Sequence, residues 1–246
     1  MGQAVDALGW DEALARIGAW AKARESRRVC CANVHVVVTA RSMPGLSEAL
    51  SGADLVVPDG APVAWMLRHL GEPRQGRIAG PDLMWRLCAE AAAAGIGIYL
   101  YGGAPATLAR LSKRLREAFS GIRIVGAESP PFRELDPAEE RASRDRINTA
   151  GAGLVFVGLG CPKQELWMAR QEGLVGAVML GVGAAFDFHA GTVRRAPPWM
   201  RRIGLEWLHR LLQDPRRLLR RYLGTNTRFL FLALLQLRRG KRRPHR

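Results

Sequence analysis

The chain has 246 residues, 48% of them hydrophobic, which excludes disorder for most of it and suits one α/β domain plus an appendage. Its formal net charge of +15 is uneven: from Arg194 to Arg246 there are 16 Lys/Arg against Glu206 and Asp214, while the first 193 residues hold 21 Lys/Arg and 20 Asp/Glu. A nearly neutral body thus ends in a basic segment, which calls for an anionic partner: lipid headgroups, nucleic acid or a phosphorylated substrate.

Asp11 to Arg24 reads as a helix, with Ala13, Leu14 and Ile17 near helical spacing. Acidic residues and no continuous apolar core make the N-terminus unlike a secretory signal. Val34–Thr39 is short and β-branched and predicts a buried strand. Leu55–Val57 predicts a second strand, ending in Pro58-Asp59-Gly60, and Ala61 to Leu70 a helix. Asp82 to Ala94 is helical, Ile96–Tyr101 a strand ending at Gly102-Gly103, Ala106 to Phe119 a helix and Ile122–Val125 a strand. Ala138 to Ala150 is a polar amphipathic helix, and Leu154–Val157 a strand ending at Gly158-Leu159-Gly160. Gln164 to Glu172 is a helix and Ala177–Val182 a strand ending at Gly183. Strands separated by helices of about ten residues or more predict a Rossmann-like parallel sheet with helices on both faces. Core and appendage divide as 1–195 and 196–246.

In open parallel sheets, ligands bind beyond the carboxyl ends of the strands. Candidate positions are therefore Thr39, Asp59, Gly102, Gly103, Gly160 and Gly183. No GxGxxG or P-loop string occurs. Asp59 follows a buried strand directly, where a carboxylate is either a general base or the cap of the next helix. Thr39 is either a substrate contact or a plain strand-end residue. Lys163 can meet phosphate or a sugar hydroxyl, and Gln164 offers both a donor and an acceptor. Asp187 can accept from ribose or a base edge. Asp187 and His189 alone are weak evidence for a metal. No Asp-x-Asp occurs, so metal-independent chemistry without a cofactor is expected. Cys30, Cys31, Cys88 and Cys161 have no metal-site spacing and read as reduced thiols.

Several blocks in order resemble the WecG/TagA/CpsF glycosyltransferases (glycosyltransferase family 26). They are Ala53 through Gly60, Arg77 through Met84, Gly158 through Glu165, Gly181 through Asp187, and a long match from Gly191 to Arg217. The resemblance implies inverting transfer of a ManNAc-type sugar, its uronic acid or glucose. The donor it implies is a UDP-sugar and the acceptor a polyprenyl-diphosphate-linked sugar. It implies Asp59 as the base with Thr39 beside it, Arg77 and Gln164 lining the same pocket, and Asp187 toward the nucleotide. The family's Thr-x-Asn after the first strand is matched to Thr39-Ala40-Arg41, which puts an arginine in place of asparagine and leaves a short segment before Asp59. That departure motivates the alternative of a noncatalytic nucleotide-sugar binding or scaffolding protein.

A metal-free displacement needs arginines and backbone N–H groups around the leaving diphosphate, and Arg77, Arg194 and Arg195 are candidates. Arg201 to Arg221 reads as one or two amphipathic helices, with Pro215 at a break or a fresh start. Apolar residues such as Ile203, Leu208, Leu211 and Leu218 are flanked by Arg201, Arg202, Arg210, Arg216, Arg217, Arg220 and Arg221. These arginines are candidates for membrane or diphosphate contact on an anionic surface. A nucleic-acid partner is the rival reading of a basic tail, disfavoured by its apolar packing face. The run Phe229 to Leu237 is too short to span a bilayer, which needs about 20 residues. The lipid-linked acceptor that the resemblance implies gives the expected location: cytoplasmic, peripheral on the inner face of the cytoplasmic membrane. A homo-oligomer is conceivable, though no residue argues for one.

Overall fold

The computed structural model describes residues 2–238. The elements in chain order are α1 (Trp10–Ala23), β1 (Arg27–Ala32), α2 (Val34–Ser42), α3 (Pro44–Ser51), β2 (Leu55–Pro58), α4 (Ala61–His69), α5 (Gly80–Ala94), β3 (Gly97–Gly102) and α6 (Pro105–Ala118). They continue as β4 (Arg123–Glu128), α7 (Pro137–Thr149), β5 (Leu154–Gly158), α8 (Lys163–Arg170), β6 (Val178–Gly181), α9 (Ala185–Ala190), α10 (Pro198–Arg202), α11 (Glu206–Gln213) and α12 (Pro215–Arg238). The six strands form one sheet in the order β2-β1-β6-β5-β3-β4, and every pairing is parallel. The Rossmann-like α/β expectation is therefore met.

Two apolar layers cover the sheet. Val29 and Cys31 of β1 face a cluster completed by Ile17, Leu87, Leu111 and Phe186, from helices α1, α5, α6 and α9. Cys30 and Ala32 face the other layer, with Val37, Leu46, Met66 and Trp167. Successive strand residues point to opposite faces, so one apolar run serves both layers. The four cysteines form no disulfide among the described residues.

The first strand is not where the β-branched run predicts it. Val34–Ser42 is helix α2, and the strand is Arg27–Ala32. Asn33 decides the matter locally. Its side chain accepts from the His35 and Val36 backbone N–H groups at 3.0 and 3.2 Å, capping a helix that valines alone would not favour. Tertiary contacts supply the rest, because Val36, Val37, Val38 and Ala40 are all buried. At the start of β1, Arg27 pairs with Glu25 and Asp54. Arg28, only 3% exposed, donates to the Ala49 carbonyl and pairs with Glu172. Two paired arginines thus open a central strand, with only the Arg28 Nε left without a partner.

The C-terminal segment packs onto the body. α12 lies along α2, with Leu218, Phe229 and Ala233 buried. Pro215 begins it, as a fresh helix start. Leu219, Leu223, Leu230, Phe231 and Leu234 of the same helix are exposed. Among the described residues no helix is long and apolar enough to cross a membrane.

Candidate active site

The parallel register brings the strand ends together. Ala32 stands beside Pro58, Cys30 beside Gly181, Val157 beside Gly181, and Gly102 beside Gly158. Asn33, Asp59, Gly158–Gly160, Val182-Gly183 and Gly102-Gly103 therefore share one rim of the sheet, where parallel α/β folds bind ligands. Gly102 has φ +110, and a Cβ there would sit 2.8 Å from the Gly158 carbonyl carbon, so only glycine lets these two turns touch.

Asp59 is the best-defined group on this rim. Its backbone N–H donates to the Ala32 carbonyl at 3.0 Å, tying the end of β2 to the end of β1. Its Oδ1 accepts from the Gly80 N–H at 3.2 Å. The Asn33 side chain lies beside its carboxylate and favours the ionised form. Arg77 Nε donates to the Asp59 carbonyl oxygen at 2.6 Å, while Arg77 Nη2 stands 3.7 Å from Oδ1. Burial pushes the Asp59 carboxyl up, more than Arg77 and the Gly80 N–H pull it down. A carboxylate so held is a better proton acceptor than an exposed one.

Gln164, 4% exposed at the start of α8, lies against Gly181 and Gly183. Its Oε1 accepts from the Gly160 N–H at 3.1 Å and its Nε2 donates to Glu165 at 2.9 Å. Burial pushes the Glu165 carboxyl up. Lys163 turns outward, with Nζ 4.4 Å from the centre of the exposed Phe132 ring. Asp187 is engaged locally: Thr192 Oγ1 donates to its carboxylate at 3.2 Å. His189 bonds the Pro81 carbonyl at 2.8 Å and stacks on Trp85, so it is not paired with Asp187.

Thr39 is not at a strand end. It lies on α2, six residues past the rim residue Asn33, with Oγ1 3.4 Å from His35 Nδ1. The residue beside Asp59 is Asn33. With β1 ending at Ala32, the asparagine that directly follows the first strand is Asn33, preceded by Cys31 and Ala32. Burial pushes the Cys31 thiol up, and Asp59 adds to this. Arg41 replaces nothing at the rim. It is exposed two helical turns away, beside Arg228, Phe231 and Leu232 in a cleft of about 360 Å³ between α2 and α12. The segment before β2 and Asp59 holds α2 and α3. The signal that could have found Asn33 was a capping residue directly before the apolar run.

The arginines after residue 193 divide into two sets. Arg195 makes a bidentate pair with Asp82, at 2.6 and 2.7 Å, and donates to Glu206 at 3.2 Å. Arg201 stands 3.6 Å from Asp82. Glu206 also accepts from Arg77 at 2.7 Å. Burial pushes Glu206 up, but Arg77 and Arg195 outweigh it and hold the group below the usual carboxylate range. Arg194, Arg202 and Arg216 are exposed. Arg210 lies over the Phe188 ring at 5.3 Å. The side chains of Arg217, Arg220 and Arg221 lie outside the described residues. Glu206 and Asp82 were visible in the sequence only as members of matched strings, and nothing local marked them as partners of Arg77 and Arg195.

A carboxylate at the end of β2, a buried amide at the end of β5 and glycine turns between them suit transfer chemistry on a polar substrate. The comparisons with known proteins agree. The chain is 34% identical, over 218 residues, to the N-acetylglucosaminyldiphosphoundecaprenol N-acetyl-beta-D-mannosaminyltransferase of Bacillus spizizenii (strain ATCC 23059 / NRRL B-14472 / W23). The match covers 88% of this chain and 82% of that protein. The family described as "Glycosyl transferase WecG/TagA/CpsF family" matches residues 1–243, and the chain belongs to it.

Proposed function

We propose that this glycosyltransferase moves a hexose or N-acetylhexosamine, of ManNAc type, its uronic acid or glucose, from a UDP-sugar to a polyprenyl-diphosphate-linked sugar. The observation that carries this reading is Asp59: a half-buried carboxylate on the ligand-binding rim, its titration pushed up by desolvation, beside Asn33 and anchored by Arg77. Asp59 takes the proton of the acceptor hydroxyl as that oxygen attacks the anomeric carbon. UDP leaves from the opposite face, so configuration inverts. The glycine turns at Gly102-Gly103 and Gly158–Gly160 carry no side chains, so the departing diphosphate can approach the main chain closely there, with no metal. Gln164 orients a sugar hydroxyl. The name of the Bacillus relative supports the acceptor class and a ManNAc-type sugar.

The lipid part of such an acceptor brings the enzyme to a membrane surface. The exposed apolar residues of α12, with Arg202 and Arg216 near them in sequence, suit insertion among anionic headgroups on the inner face of the cytoplasmic membrane. Against the noncatalytic alternative, Arg41 lies away from the rim on α2, and an asparagine, Asn33, stands at the end of the first strand beside Asp59.

The test is UDP release from a panel of UDP-sugars, with a short prenyl-diphosphate sugar in anionic vesicles. Acceptor-dependent release from one donor is expected. UDP binding with no release from any donor would overturn the reading. Because Asp59 must be deprotonated to act, kcat/KM falls as pH drops through a value above the usual carboxylate range.

A further inference from the structure

Glu206 is only 8% exposed, and its hydrogen-bond partners are two guanidinium groups, those of Arg77 and Arg195. Three observations bear on what it does. First, Arg77 is stretched between two anchors. Its Nε is on the Asp59 carbonyl oxygen at 2.6 Å and its Nη2 on Glu206 at 2.7 Å, which leaves Nη2 3.7 Å from the Asp59 carboxylate. Second, Arg195 holds Glu206 from the far side and is itself fixed by the bidentate pair with Asp82. Third, the turn before α11 is pressed against the Asp59 loop. Gly204, at φ +78, brings its backbone so close to Ala61 that a Cβ would meet the alanine's at 3.1 Å.

We propose that Glu206 is a positioning residue, which holds the Arg77 guanidinium on the Asp59 main chain and away from its carboxylate, so that docking of the C-terminal appendage sets the state of the catalytic base. The inference rests on the reading of Asp59 as that base. Its physics is that of neighbouring charges. Arg77 with a free guanidinium would close on the Asp59 carboxylate and stabilise its ionised form, making it a weaker base. Glu206 draws that charge off and adds its own negative field. The other groups facing Asp59 are the Gly80 N–H from α5, Asn33 and the Cys31 thiol from β1, and none of them carries the positive charge that Glu206 controls.

The experiment is a pH titration of the Asp59 carboxyl by NMR in protein carrying 13C-labelled aspartate, the signal assigned with D59N, alongside kcat for donor and acceptor. In E206Q the Asp59 titration moves to lower pH, and kcat falls about tenfold with little change in KM. In an R77Q background, E206Q adds almost nothing to the kcat loss, because Glu206 acts through Arg77. If E206Q does not fold, E206D, which keeps the charge but draws it back by one methylene, shows the same shift in smaller measure. An Asp59 titration unmoved by E206Q or E206D overturns the proposal, whatever the activity. A titration that moves, in a wild-type protein that transfers no sugar, leaves the coupling standing and removes the proposed reaction instead.

Discussion

The rim of the sheet and the helix α12 treat polarity in opposite ways. At the rim, charged groups are half-buried and nearly every one has a partner: Asp59 with the Gly80 N–H, Arg77 with Glu206, Arg195 with Asp82. On α12, apolar groups are exposed: Phe231 and Leu230 are 63% and 62% accessible. Buried charge persists only when hydrogen bonds and opposite charges compensate its desolvation, so the rim is over-determined and holds fixed geometry. An apolar stripe left in water costs free energy until something covers it. The two regions therefore suit two tasks, chemistry at the rim and attachment along α12.

The sharpest way to break this contrast is at Asp59. D59N keeps the shape and removes the base, so transfer falls by about 10²–10⁴-fold while UDP binding, measured by calorimetry, is retained. Equal turnover in that variant would take the chemistry elsewhere. Next comes the inner face of α12. Phe229 is 3% exposed in the core, so Phe229→Ala lowers unfolding stability by about 3–5 kcal/mol in denaturant titration. Two residues along, Phe231→Ser leaves the denaturation midpoint in place and weakens binding to anionic vesicles about tenfold or more, the transfer energy of one aromatic side chain. The smallest effect is at a single exposed charge. Arg216→Gln weakens vesicle binding by about 1 kcal/mol, and the difference fades as salt is raised. If Phe231→Ser and Phe229→Ala behaved alike, α12 would be a plain packing helix.

Most of the sheet was legible because buried parallel strands are apolar runs bounded by glycine, and Leu55–Val57, Ile96–Tyr101, Leu154–Val157 and Ala177–Val182 all have that form. The first strand was not. Its local sequence, Arg27-Arg-Val-Cys-Cys-Ala32, lacks the β-branched signature, and the run that has it, Val34 to Val38, is helical. Two things outside any local window decide this: a cap from Asn33, and a slot between β2 and β6 that takes Arg27–Ala32 as a central strand. That single displacement accounts for the misplaced Thr39 and the apparent anomaly at Arg41.

By itself the sequence determined the alternation of strand and helix, the rim positions of Asp59, Gln164 and the glycine turns, and the basic, amphipathic character of the C-terminal segment. These follow from side-chain period and chain order, which are local properties. Only the tertiary structure decided which groups meet. Arg77 and Glu206 are separated by 129 positions and Arg195 and Asp82 by 113, and no periodicity links them. Their pairing exists because the appendage folds back over the ends of β1 and β2, where desolvation makes each unmatched charge too costly to leave alone.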